Sequence, residues 1–317
     1  MFLSWRARMD EFMADATLPS GMQKLRVPAS SANLGPGFDA LGLGLDLYLE
    51  CDFCPASALT IRASGRDAAM ISTGDDNLIW KTAVQVAQEA GCQMPPVELE
   101  IRNDIPLGKG LGSSAAALTA GVVIANQVLN LGWDKHKVLN VAAVIEGHPD
   151  NVAACVLGAI VASAVDSEGR AQAVRMNLDS HYSVAVVVPD YVLPTSEARR
   201  VLPATYSRAD AVFNVQRSAL LIVALATGTT SAFPTALEDR MHQPYRLPLV
   251  PGLEEVVKLR APGLLGCALS GAGPSILVFH ERGHEQVCEL VREVFARHGR
   301  KSEIVCRGIA QNGYSLE

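Results

Sequence analysis

What most constrains this chain is one short run, Ile105 to Ala117. Glycines at 108, 110 and 112 alternate with Lys109 and Leu111, then lead through Ser113 and Ser114 into a long alanine-rich apolar stretch. Alternating glycines free the main chain to turn with positive φ and let a ligand or another backbone come close. Serine favours the start of a helix, and the first amides of a helix have no partner inside it. Together with the helix dipole they form a ready site for an anion, phosphate foremost. The same residues also describe a capped turn ahead of a buried helix, and the glycines alone leave both readings open. The run is not the common nucleotide loop, which needs Gly-Lys-Ser/Thr after four spacer residues, because Gly110 follows Lys109. Its G-x-G-x-G spacing also departs from the dinucleotide fingerprint.

A helix of this kind needs a core to bury it. The 317 residues are 49% hydrophobic and 19% charged, which suits a globular chain of one large or two medium domains. The net charge of −6 supplies no basic field, so sequence-independent nucleic-acid binding is excluded and any anion must be held locally. Seven scattered cysteines fit a reducing compartment rather than a disulfide framework. Cys51 and Cys54 form a C-x-x-C without a second pair at zinc spacing; they fall in an alternating run and read as strand residues. Residues 1–21 lack the continuous apolar core of a secretory signal. The longest apolar candidate, residues 115–131, is interrupted by Thr119, Asn126, Gln127 and Asn130. A cytoplasmic location without membrane association is the expectation.

Periodicity and turn residues predict a short strand at 24–27, a polar loop at 28–39 and a long strand at 40–53. A helix at 77–90 and a strand at 97–102 then lead into the glycine run. Its helix extends to about Asn130; a helix at 135–145, a helical turn and a strand at 158–165 follow. The second half predicts a strand at 184–188, helices near 209–227, 231–241 and 253–259, and two strands flanking Ser270 to Ser275. A helix at 285–298 and a strand at 302–309 close it. That order predicts an antiparallel sheet with helices on one side, an α+β chain. The expected division is an extension at 1–21 and domains at 22–172 and 173–317.

Four further clusters carry chemistry. In the loop 28–39, Asn33 offers donors and acceptors and Asp39 a carboxylate that could hold an ammonium; an Asx-turn and a helix cap are the plain alternatives. Around 146–151, Glu146 with Ser114 is an oxygen pair suited to Mg²⁺, and Asp150 could orient or deprotonate a hydroxyl. His148, ahead of a proline in a turn, is given no role. Thr195, Arg199 and Arg246 form a third group, since arginine recognises carboxylates bidentately; surface ion pairing is the alternative. The fourth is a second glycine loop, Ser270 to Ser275, which presents amides to a ligand or merely turns between strands.

In this order the clusters resemble the GHMP kinases. Pro106 to Ala116 matches the family's P-x-x-x-G-L-G-S-S-A-A loop at every fixed position, and Gly271-Ala272-Gly273-Pro274-Ser275 matches its late glycine motif. The resemblance runs from about Met22 to the C-terminus. Residues 27–39, 146–151, 195–199 and 244–246 are most similar to the branch that phosphorylates L-homoserine. The resemblance implies a two-domain fold: an N-terminal ribosomal-protein-like domain with a left-handed β-α-β unit, and a ferredoxin-like C-terminal domain. It implies ATP and Mg²⁺ as cofactors, with Pro106, Leu107, Gly108, Lys109, Gly110, Leu111, Gly112, Ser113, Ser114, Ala115 and Ala116 around the ATP phosphates. Ser114 and Glu146 would hold Mg²⁺, with Asp150 the further catalytic residue. Asn33, Asp39, Asn151, Thr195, Arg199 and Arg246 would contact the amino acid, and Gly271, Gly273 and Ser275 would form the second loop. The charge of Lys109 is expected to be incidental. The resemblance leaves a homodimer open. The extension at 1–21 and the short Glu146–Asp150 spacing depart from the pattern. The alternatives are another small-molecule kinase of the family, of mevalonate or shikimate type, a non-catalytic nucleotide binder, or a purely structural role. Asp39 and the arginines favour an amino acid.

Overall fold

The computed structural model describes residues 21–177, 182–306 and 308–317. The extension expected at 1–21 therefore lies outside the described residues except for Gly21. The first half contains β1 (Gln23–Ala32), β2 (Leu41–Pro55), β3 (Thr60–Gly65), α1 (Leu78–Glu89), β4 (Val97–Asn103), α2 (Ser113–Val128), α3 (Lys135–Glu146), α4 (Asp150–Leu157), β5 (Ile160–Val165) and β6 (Ala171–Met176). β2 pairs antiparallel with β1, β4 and β5, and β5 with β6. β3 and β4 run parallel, joined through α1.

β1 overturns the loop expected from residue 28. Ser30 and Ser31 pair with Gly44 and Leu43 and are fully buried. Strand pairing outranks their polarity because both hydroxyls find partners: Ser30 Oγ donates to Asn151 Oδ1 at 2.9 Å, and the Ser31 and Ser270 hydroxyls hydrogen-bond each other at 2.8 Å. Cys51 and Cys54 lie on β2, as their alternation suggested. α2 is buried along nearly its whole length and packs on α1, β1 and α3. Its alanines and Gly121 let these neighbours come close.

The second half contains β7 (Tyr182–Pro189), α5 (Thr195–Arg200), α6 (Arg208–Thr227), α7 (Phe233–Ala236), α8 (Gln243–Arg246), α9 (Leu253–Lys258), β8 (Leu264–Leu269), β9 (Ile276–Glu281), α10 (Cys288–Arg297), β10 (Ser302–Cys306) and β11 (Ser315–Leu316). Its sheet is antiparallel in the order β10-β7-β9-β8. In the chain order of its own strands that is 4-1-3-2, the ferredoxin-like arrangement.

Helices cover both faces of this sheet, not one. Val187 and Val278 face Leu253, Val256, Val291 and Phe295 of α9 and α10. Tyr182, Val184 and Phe279 face Leu221, Leu225 and Phe233 of α6 and α7. The continuous apolar run of β7 is what two-sided burial demands. The helix expected at 231–241 is also broken up. α7 ends at Ala236, and the Asp239 carboxylate takes the amides of Met241, His242 and Gln243, which turns the chain into α8. The domain boundary expected after 172 falls inside β6, and β11 returns to pair with β1. Among the described residues α6, not 115–131, is long and apolar enough to cross a membrane. Here Asn214 and Ser218 of α6 both donate to the Pro36 carbonyl, which fastens it to the loop after β1.

Candidate active site

The glycine run does not use serine as its cap. Gly112 is the N-cap of α2, with φ +65° and no side-chain cap. The first intrahelical bond closes from Ala116 N to Gly112 O, which leaves the amides before it without helical partners. Serine cannot take the cap position, because a Cβ on residue 112 would collide with Ser30 Oγ. The N-terminus of α2 opens into a cavity of about 260 Å³ lined by Gly108, Gly110, Leu111, Gly112, Ser113 and Ser114.

The second glycine loop braces the first. Gly271 N donates to Ala32 O (3.0 Å), Ser270 Oγ to Gly110 O (2.7 Å) and Ser275 N to Lys109 O (3.3 Å). Of its three expected site residues only Gly271 lines the cavity; Gly273 and Ser275 do not. In the first loop, Pro106, Lys109, Ala115 and Ala116 line neither this cavity nor the second one described below. The Lys109 ammonium donates to Pro189 O (2.9 Å) and Tyr191 O (2.7 Å), so its charge ties the loop to the end of β7.

The acidic cluster sits where α3 ends and α4 begins. Ser114 and Glu146 line the same cavity, and burial pushes the Glu146 pKa up against the lowering pull of His148. Asp150 is buried, and its Oδ1 accepts from Asn151 N (2.7 Å) and contacts His148 Nδ1 (2.6 Å). Nothing described donates to Oδ2. His148, given no role from sequence, lines the cavity. Burial lowers its pKa, but the Asp150 hydrogen bond and charge outweigh that and raise it overall. Its pre-proline turn position hid a partner two residues away.

The cationic end is built by α5 and α8. Arg199 meets Asp39 bidentately, Nη2 to Oδ1 at 2.8 Å and Nη1 to Oδ2 at 3.2 Å, with the two side chains 38% and 34% exposed. Asp39 is itself in the left-handed region, φ 55°, as are Asn33 (72°) and Leu34 (48°). The Asn33 amide holds that loop: its Oδ1 accepts from Asp39 N and its Nδ2 donates to Gly271 O, each at 3.0 Å. Arg246 is buried. Its Nε donates to Ala198 O (3.1 Å) and its Nη1 to Gly271 O (3.0 Å). Burial and neighbouring Arg199 push its pKa down to about 10. Asn33, Asp39, Glu146, Asp150, Asn151, Thr195, Arg199 and Arg246 all line the one cavity.

A second cavity, about 330 Å³, lies on the other side of the loop and shares Ser113 and Ser114 with the first. Leu49, Met70, Ile71, Leu78, Ile101 and Leu107 make much of its wall apolar. These residues come from five segments, so nothing in the sequence groups them. Two sets of ligands in the first cavity suit a cation. Ser114 and Glu146 supply only oxygens, the preference of Mg²⁺, and a buried carboxyl gains from a nearby positive charge. Ligand atoms of Asp39, His148 and Asp150 also lie within 4.8 Å of one another, but this set includes a nitrogen, and Asp39 is already paired with Arg199.

Residues 77–159 match the family model for the GHMP kinases N terminal domain, and residues 221–297 that for the GHMP kinases C terminal. The chain is similar to the homoserine kinase of Solibacter usitatus, 64% identical over 292 residues covering 92% of this chain and 96% of that one. It is 45% identical to that of Deinococcus radiodurans over 81% and 84%. Among solved structures, the homoserine kinase from Cytophaga hutchinsonii is 26% identical with a TM-score of 0.81, over 95% of this chain and 99% of that one. Galactokinase of Lactococcus lactis is 14% identical with a TM-score of 0.67, over 99% and 100%, and shares the fold.

Proposed function

The chain belongs to the GHMP kinase family, with the homoserine kinases as its relatives, and we propose how its cavity transfers the γ-phosphoryl group of ATP to the side-chain hydroxyl of L-homoserine. The products are O-phospho-L-homoserine and ADP, a step of threonine biosynthesis. The observation that carries the reading is the pairing, in one cavity, of an open helix N-terminus with a carboxylate and two guanidiniums.

Phosphate oxygens sit against the amides at the start of α2, and the apolar cavity beside Ser113 and Ser114 takes the base. Ser114 and Glu146 would hold Mg²⁺, which would supply charge neutralisation at the phosphates. L-Homoserine carries an ammonium, a carboxylate and a hydroxyl. Its ammonium goes to Asp39 and its carboxylate to Arg199 and Arg246. This requires the Asp39–Arg199 pair to open. A pair this exposed is worth at most about 1 kcal/mol, and each partner regains an opposite charge. The amino-acid head is then fixed, and the hydroxyl reaches Asp150. Oδ1 of Asp150 is occupied by His148 and Asn151, so Oδ2 is the atom left to receive the hydroxyl hydrogen. Phosphoryl transfer has a loose transition state, so alignment matters more than a strong base. His148 holds the Asp150 carboxylate in place.

ADP release with Mg-ATP across L-homoserine, mevalonate, shikimate and galactose tests this. Turnover with L-homoserine alone is the expected result. Preference for a substrate lacking an ammonium would remove the assignment of Asp39.

A further inference from the structure

Behind the amino-acid end of the cavity lies a buried polar group that no step above uses. His242 has no solvent exposure. Its Nε2 is 2.7 Å from Gly35 O, and its Nδ1 is 3.0 Å from Arg246 Nη1. A guanidinium can only donate and a carbonyl can only accept. Nδ1 must therefore be the acceptor, and Nε2 must carry the hydrogen. Both contacts demand the same neutral tautomer.

Two further groups, Asp239 and Phe38, hold the imidazole. The Asp239 side chain, as buried as that of His242, holds its segment through the amides of His242 (3.0 Å) and Gln243 (2.7 Å). The Phe38 ring stacks on it with centroids 5.4 Å apart at 26°. The guanidinium carbons of Arg246 and Arg199 each lie 5.7 Å from that same ring. Burial, reinforced by Arg246 and opposed by Asp239, disfavours the imidazolium. Arg246 thus has Nε on Ala198 O and Nη1 shared between Gly271 O and His242. Its Nη2 has no acceptor among the described residues.

We propose that His242 is a positioning residue for the substrate carboxylate: held by the Gly35 carbonyl, its Nδ1 fixes Nη1 of Arg246 so that Nη2 faces the cavity. His242 does not touch the substrate and acts through Arg246. The inference rests on the homoserine reading, and it adds a direct link between the loop carrying Asp39 and the arginine at the other end of the amino acid. Ammonium and carboxylate contacts are thereby set by one buried framework.

Two substitutions separate the ring nitrogens. His242→Gln keeps a donor for Gly35 O and removes the acceptor for Arg246. His242→Asn keeps an acceptor near the Nδ1 position. Steady-state kinetics should be run with L-homoserine and with 3-amino-1-propanol, which has the ammonium and hydroxyl but no carboxylate. For His242→Gln the KM for L-homoserine should rise about tenfold, while kcat and the KM for ATP stay within about twofold. His242→Asn should recover most of the loss. Turnover of 3-amino-1-propanol should be the same in all three proteins. Equal losses on both substrates, a parallel rise in the KM for ATP, or no change in either variant would overturn the proposal. If His242→Gln does not fold, a His242→Asn protein with tenfold weaker L-homoserine binding would overturn it as well. Failure of the wild-type protein to phosphorylate L-homoserine would instead remove the reading beneath it.

Discussion

Residues 105–117 and 270–275 are both runs of glycine and serine, and in the fold they touch, yet each uses its glycines differently. In the first run, Gly108, Gly110 and Gly112 take φ values of 67°, 76° and 65° and leave the helix start bare toward the cavity. In the second, Gly271 and Gly273 also take positive φ, 54° and 90°, but the loop's polar atoms turn onto the first loop and β1. One loop faces a cavity and the other faces its neighbour. A glycine motif therefore says that something comes close to the backbone. What comes close is decided by the elements around it.

Gly110 is where the two loops meet, and changing it should have the largest effect. A Cβ there would run into Ser270 O and also lie 2.7 Å from Gly273 O. Both are main-chain atoms that cannot swing aside, and the φ of 76° disfavours any side chain. Gly110→Ala should lose about 2–4 kcal/mol of unfolding free energy, read by denaturant titration, and nearly all turnover. Wild-type stability would mean that the seam is looser than the geometry says.

Ser114→Ala addresses the ligand-facing loop alone. Turnover should fall about 100-fold, with the melting temperature nearly unchanged. Ser270→Ala addresses the brace. It removes the buried bonds to Ser31 Oγ and Gly110 O and should lower stability by about 1–2 kcal/mol with only a few-fold loss of turnover. If the two variants exchanged these signatures, the division between the loops would be wrong.

The smallest effect concerns pH. The Glu146 pKa is raised above 4.5, chiefly by burial, so the folded chain binds that proton more tightly than the unfolded one. Ionisation between 4.5 and the raised value removes stability. Glu146→Gln should accordingly melt higher than the wild type at neutral pH, with the gap closing as pH falls through the raised value and gone by about pH 4.5. Mg²⁺ should raise the wild-type melting temperature and leave that of the variant alone. A gap independent of pH would exclude the carboxylate as its source.

The first glycine loop could be placed from sequence because its backbone takes a shape that favours glycine. β3 and β6 could not, since Thr60–Gly65 and Ala171–Met176 are half-polar strands without a clean alternation. Lys109 looked incidental because its partners are the carbonyls of Pro189 and Tyr191, and main-chain groups leave no mark in a pattern of side chains. His148 and His242 were missed for a related reason. Each owes its position to a contact made only after folding, with Asp150 across a turn and with Arg246 across a buried turn of helix. Asp39 and Arg199 are 160 residues apart. Their chemistry was readable residue by residue, but their pairing was not, because only the fold brings the two side chains together.

The most direct test of the account is to identify the product. The protein should be incubated with Mg-ATP and L-homoserine and followed by phosphorus NMR. A phosphomonoester of homoserine should accumulate in step with ADP and should be abolished by Ser114→Ala. ADP accompanied only by inorganic phosphate, or a phosphoryl group transferred to mevalonate in preference to L-homoserine, would contradict it.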